Sequence, residues 1–338
     1  METLHATPSA DLLTAALGAR DPRAEAQRLL NGRFDARVLE PSPPAVDDGE
    51  WFADDPTDPA GAYMPIVGPT GAAALTWTRW LGDYPDQAGW ARDRWLAAWR
   101  PLTRPPATFA ETRSALHRLA VYVLSPARRR VNGKIALRWT LGGLGTPFFG
   151  DDEQVRVVGE WLVRQVGEAA TALPITTLNQ AAATVLGGPP DLEWAAGLDV
   201  PPAGDLDERL PVDPAASYWL GDWFGFAYSV LEELRADRES TGGGRVQLWA
   251  EHFDASFECL SDAEGRRAGY GMSPGDAAHD QPYAYVVPWQ FDGLAASDLW
   301  NATAFKGAVL PLGEFVDAPD QRDAVLAFFR ERRALLAS

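Results

Sequence analysis

The chain has 338 residues, 46% of them hydrophobic, and carries a net charge of -17 from 47 acidic and 30 basic side chains. That length and apolar content suffice for a packed core and exclude a disordered chain. The charge excludes a basic nucleic-acid-binding surface, since the only dense basic run is Arg128-Arg129-Arg130, and it likewise disfavours an anionic membrane.

The start, Met1-Glu2-Thr3-Leu4-His5, has neither a basic n-region nor an apolar h-region, and no 18-residue apolar run occurs. Neither a secretory leader nor a membrane span is expected, and the cytoplasm is the expected location. Cys259 is the only cysteine, so no disulfide forms within the chain. The 14 tryptophans are several times the usual share. They suit a Trp-rich core, or an aromatic pocket for a small organic ligand.

Taken in order, residues 10–19 and 23–30 read as short helices, with Asp21-Pro22 between them as a cap followed by a helix-starting proline. Residues 40–71 are rich in Pro, Asp and Gly and read as an irregular arm. Trp95 and Trp99 lie four apart and would stack on one helix face. Pro101, Pro105 and Pro106 mark a boundary, which separates an N-terminal segment, 1–105, from a main domain, 106–338.

The main domain opens with an amphipathic helix over 108–125, with Leu116, Leu119 and Val123 on one face, ended by Ser125-Pro126. His117 lies near that apolar stripe and reads as packed. Strand 134–140, a tight Gly142–Pro147 turn, and a hairpin of 155–158 with 161–165 follow. A helix is expected over 175–186 and loop over 187–212. The clearest helix is 214–235, capped by Asp213 and started by Pro214, with Trp219, Trp223, Phe226, Val230 and Leu234 at helical spacing. Gly221 and Gly225 would allow close packing on another face. Strands 245–259, 267–272 and 283–288 come next, and the last helix is 320–335.

The Gly142–Pro147 run does not read as a phosphate loop. No Lys-Ser/Thr follows it, and Asp151-Asp152-Glu153 would repel an anion. Nor does this acidic triplet have the spacing of a calcium loop.

The densest polar constellation is in 251–285. If 245–259 is one strand, His252 and Asp254 share a face about 7 Å apart, and Glu251 points away with Trp249, Phe253 and Phe257. Ser273-Pro274-Gly275-Asp276 signals a turn, with His279 three residues on, and Tyr283 and Tyr285 share a face of the next strand. Three readings follow. His252, Asp254, Asp276 and His279 could hold a divalent metal, since imidazole with carboxylate suits zinc, iron or manganese. Alternatively, His252 and Asp254 could form a general-base pair, with Tyr285 beside them as a third catalytic group. The third reading is structural: a His–Asp hydrogen bond, and Asp276 closing the turn through its own side chain. No Gly-x-Ser-x-Gly elbow and no activated cysteine supports covalent hydrolysis.

The order of features also carries a resemblance. Leu116-His117 on a helix is followed by strand 135–138, then Gly143–Pro147, the 155–163 hairpin and Phe253-Asp254. Next come Gly271-Met272-Ser273-Pro274-Gly275, Tyr283-Ala284-Tyr285-Val286-Val287-Pro288 and Gly313-Glu314-Phe315, and a helix begins after Asp317-Ala318-Pro319-Asp320. Over roughly 110–337 this resembles an actinobacterial and proteobacterial family of domains of unknown function. The two lysines among the 30 basic residues fit a high-GC source of that kind. In that family the position of Ser273 is often Trp, and a His need not accompany Phe253-Asp254. The resemblance therefore implies domain extent and supplies no activity.

The expectation is an α+β protein. A curved antiparallel or mixed sheet would carry helices 111–124, 214–235 and 320–335, preceded by a Trp-rich, mostly helical N-terminal segment. The leading functional expectation is a small organic ligand bound near 252–285. The alternative is a non-catalytic interaction protein using the Trp-rich segment.

Overall fold

The computed structural model describes residues 65–68, 71–76 and 101–337, apart from 141–142, 148, 150–152, 167–168, 245, 262, 277–278, 293 and 295–296. The helices expected at 10–19 and 23–30, and the Trp95/Trp99 stack, lie outside these residues. Strands β1 (Pro65–Gly68) and β2 (Gly71–Thr76) form an antiparallel hairpin, so the end of the arm read as irregular is strand.

The α+β class holds. Helix α1 (Phe109–Leu119) passes through one π-helical turn, Ala120–Leu124, into α2 (Ser125–Asn132). Ser125-Pro126 was expected to end this helix and does not. A proline in a helix leaves the carbonyl four residues back without its donor. Here that carbonyl, of Tyr122, accepts from the Asp191 N–H at 3.1 Å. The Trp194 indole N–H likewise reaches the Val121 carbonyl at 2.8 Å. The π turn frees these groups, and the 187–212 loop satisfies them.

A five-stranded antiparallel meander follows: β3 (Arg138–Thr140), β4 (Gly143–Gly145), β5 (Glu153–Val158), β6 (Trp161–Val166) and β7 (Ala169–Pro174). The glycine run read as a tight turn is strand β4, buried between β3 and β5. Helices α3 (Leu178–Leu186) and α4 (Pro214–Ala236) come next. A second five-stranded meander comprises β8 (Gln247–Trp249), β9 (Asp254–Cys259), β10 (Ala268–Ser273), β11 (Tyr283–Pro288) and β12 (Ala308–Pro311). Helices α5 (Leu312–Phe315) and α6 (Gln321–Ala337) close the described chain.

Helix, five-stranded meander, helix thus occurs twice, a repetition of topology that no sequence repeat announces. The two sheets meet at their first strands. Leu137, next to β3, and Leu248, in β8, exchange backbone hydrogen bonds of 2.7 and 3.0 Å.

Helix α4 lies against strands of both sheets and against α1 and α6. Its start follows the sequence: Asp213 accepts from the Ala216 N–H at 3.0 Å, and Pro214 takes the first turn. The predicted stripe of Trp219, Trp223, Phe226, Val230 and Leu234 is buried, but so are Leu220, Phe224, Ala227 and Leu231. A helix with sheet on more than one side buries its whole circumference. Gly225 allows the close approach expected of it: a Cβ there would lie 3.1 Å from the Trp139 indole nitrogen.

Candidate functional site

The strand expected over 245–259 is a hairpin. β8 turns through Ala250-Glu251-His252-Phe253 into β9, and Trp249 pairs with Asp254. The turn is closed by the Phe253 N–H on the Trp249 carbonyl at 2.7 Å. Phe253 takes a left-handed φ of 53°, uncommon without glycine. Its ring, 1% exposed, is held between His117, stacked at 4.7 Å, and the edge of Phe224 at 5.6 Å. Tertiary packing therefore holds a turn that local chemistry does not favour.

This corrects the expected alternation. His252 is an exposed loop residue and does not sit beside Asp254 as its neighbour on a strand face. Trp249, not His252, lies on the face of Asp254, and Phe257 points into the core.

Pairing of β9, β10 and β11 brings Asp254 and Ser256, Gly271 and Ser273, and Tyr283 and Tyr285 to one face. The opposite face, with Ala255, Phe257, Tyr270, Met272, Ala284 and Val286, is buried toward α4 and α6. On the first face Tyr285 lies over Gly271 and donates its hydroxyl hydrogen bond to Asp254 Oδ2. Only glycine suits position 271, because a Cβ would enter the ring of Tyr285.

Asp254 is 3% exposed, and its other oxygen, Oδ1, has no hydrogen-bond partner. Burial pushes its carboxyl up to about 6, against the opposing hydrogen bond from Tyr285 and the charge of His252; Glu251 pushes the same way as burial. Burial and the adjacent Asp254 hold the Tyr285 hydroxyl well above its usual range.

A second pair lies beside the first. Tyr283 donates to Asp276 Oδ2, and burial together with Asp276 raises its pKa. Asp276 Oδ1 accepts the His279 N–H at 2.8 Å, and the Asp276 N–H donates to the His279 carbonyl at 2.7 Å. This closes the turn in the way the structural reading expected. The His279 ring lies 4.8 Å from that of Tyr283, with its Nδ1 buried and without a partner. Phe305 completes the aromatic group, 6.3 Å from His279 and 6.4 Å from Tyr285. Tyr285, His279, Asp276 and Phe305 are half-buried, so the group is reachable from outside.

Three further residues contribute: Arg113, which was not singled out from sequence, His117, which read as packed and is, and Glu251. Arg113, on α1, donates to the Pro274 carbonyl at 3.1 Å and the Asp280 carbonyl at 2.9 Å, and packs where any side chain at Gly275 would clash. His117, one turn further, bonds the Ala250 carbonyl through Nε2 at 2.9 Å, and burial lowers its pKa to about 4. Their i, i+4 spacing was the available signal. Glu251, expected to point away, has a buried Oε2 without a partner.

Asp254, Asp276, His279, Tyr283 and Tyr285 are thus brought together, and His252 stays at the exposed turn. As a metal set the four predicted ligands do not converge: Asp276 has both oxygens engaged by Tyr283 and His279, and Asp254 has one held by Tyr285. Among the described residues no group of three or more His, Cys, Asp and Glu is placed to hold a metal ion. Cys259 is buried, which pushes its thiol up to about 11 and keeps it unreactive. No described helix is long and apolar enough to cross a membrane.

The arrangement can accept hydrogen bonds at Asp254 Oδ1 and Glu251 Oε2. With a carboxyl poised near 6, Asp254 can also take or return a proton near neutral pH. Tyr285→Phe would leave both Asp254 oxygens unpartnered. It is expected to raise the Asp254 pKa further and to destabilise the fold by about 1–3 kcal/mol at pH 7, read by denaturant unfolding. An unchanged midpoint would mean that the pair is not formed.

Comparison of the chain with family models, with curated proteins and with solved structures found no match. The functional reading rests on the geometry of the site.

Proposed function

We propose that this protein binds a small organic molecule on the outward face of its second sheet, with Asp254 as the polar anchor and Tyr283, Tyr285 and Phe305 as the aromatic wall. The observation that carries this reading is the half-satisfied carboxylate: Asp254 is 3% exposed, and Oδ1 has no partner. A buried polar atom left unpaired costs about 1–3 kcal/mol, so a fold that retains one has a use for it or fills it from outside. The half-buried rim of Tyr285, His279 and Phe305 supplies apolar contact around that single polar point, as small-molecule sites do. The first meander supports the same reading. The strand-end positions that correspond to Asp254, Ser273 and Tyr283 are Gly143, Val158 and Trp161, so this topology does not itself require polar groups there.

Titration of a fragment library, followed by backbone amide shifts, tests the proposal. Saturable shifts clustered at Asp254, Gly271, Ser273 and Tyr285 are expected. No saturable shift there, or clusters only elsewhere, would sink the reading.

A further inference from the structure

The charges around the aromatic wall differ sharply in how far the protein itself satisfies them. Two carboxylates bond it directly, Asp254 at Tyr285 and Asp276 at Tyr283, and Glu251 lies close enough to act electrostatically on Asp254. Asp276 is satisfied by Tyr283 and the His279 backbone. Asp254 keeps Oδ1 open and Glu251 keeps Oε2 open, both buried. Among the described residues, Arg113 is the guanidinium that acts on Asp276 and Asp280, and its Nη1 is already given to the carbonyls of Pro274 and Asp280. Of the histidines, His117 is stacked on Phe253 with Nε2 on the Ala250 carbonyl, His279 lies 4.8 Å from the Tyr283 ring with its buried Nδ1 bonded to neither carboxylate, and His252 stands exposed at the turn. The described residues therefore bring negative charge and two open carboxylate oxygens to this face and pair neither oxygen themselves.

We propose that the ligand is an organic cation, an ammonium or amidinium group on an apolar body, whose N–H groups are taken by Asp254 Oδ1 and Glu251 Oε2. This rests on the small-molecule reading given above. A cation pairs the buried carboxylate, which a neutral hydroxyl would leave with an uncompensated charge and a carboxylate ligand would repel. The π faces of Tyr283, Tyr285 and Phe305, whose ring centroids lie 6.0 and 6.4 Å apart in sequence around Tyr285, attract the same charge. The net charge of -17 adds a long-range pull of the same sign.

The test uses matched triples: benzylamine, benzyl alcohol and benzoate, then cyclohexylmethylamine with its alcohol and acid. Each is titrated by calorimetry and ligand-observed NMR at pH 8 into the full chain. The amines should bind at least tenfold tighter than the alcohols, the acids should not compete, and added salt should weaken the amines alone. Asp254→Asn should remove at least tenfold of amine affinity, with little change for the alcohols. Glu251→Gln, at a half-buried turn position, is the second variant and should weaken the amines severalfold. Alcohols binding as well as amines, or amine binding indifferent to both substitutions, would overturn the cation assignment and leave the aromatic site standing. No binding by any member would overturn both.

Discussion

Asp254→Asn is expected to make the protein more stable at pH 8, by up to about 3 kcal/mol, while removing at least tenfold of the proposed amine affinity. A carboxyl raised to about 6 by burial is ionised at pH 8 at a cost that the unfolded chain does not bear. Because the folded pKa lies above the ordinary value, native Asp254 holds its proton between about pH 4 and 6 while the unfolded chain has lost it. Wild-type stability therefore falls as pH rises through that window, and the penalty is complete above it. Asparagine keeps an acceptor for Tyr285 and removes the charge, so the gain should be largest at pH 8 and vanish near pH 4. His117 works in the opposite direction. Its pKa is lowered to about 4, so its contribution is complete above the ordinary imidazole value near 6.5 and is lost as pH falls toward 4. In the wild type the two slopes oppose one another. In Asp254→Asn the His117 slope stands alone, so the variant should lose stability on acidification more steeply than the parent. Thermal or urea unfolding across pH 4–8 reads this directly. A variant less stable than the parent at pH 8 would mean that the ionised Asp254 is well satisfied within the protein.

Trp223→Ala is expected to cost about 3–5 kcal/mol. Trp223 is 0% exposed, stacked on Trp219 at 5.9 Å and tilted against Phe315 at 6.5 Å. It sits on the helix that packs on both sheets, so the cavity is bounded by elements fixed from several sides and cannot collapse. Chemical denaturation should show a lower midpoint with little change in slope. A loss below about 1 kcal/mol would mean that α4 repacks freely and is not the element on which the two meanders are assembled.

The long elements were legible because their signals are local and strong. Asp213-Pro214 and the aromatic spacing gave α4 almost to the residue, and the alternation in Tyr283–Pro288 gave the tyrosine face. The Ser273–Asp276 turn and the role of Asp276 in it could also be read. What failed was decided by distant contacts. The helix runs through Pro126 because a loop more than 60 residues away donates to the Tyr122 carbonyl. The 250–253 turn contains no Gly, Pro, Asn or Asp, and its left-handed residue is a phenylalanine held by His117 and Phe224. That one turn moved His252 off the face of Asp254 and put Trp249 there. The polar residues of 251–285 do come together in the fold, but the partner of Asp254 differs from the expected one: it is a tyrosine from two strands away, not the histidine two residues before. Gly271, which lets that tyrosine across, reads in sequence as an ordinary strand glycine.

The most direct measurement is the titration of the Asp254 side-chain carboxyl itself. It can be followed by carbon NMR with labelled aspartate and assigned by its absence in Asp254→Asn. A midpoint near 6 is predicted, moving downward when an amine is bound. A midpoint at or below the ordinary aspartate value of about 4, unmoved by any amine, would show a carboxylate already satisfied by the fold and contradict the proposed site.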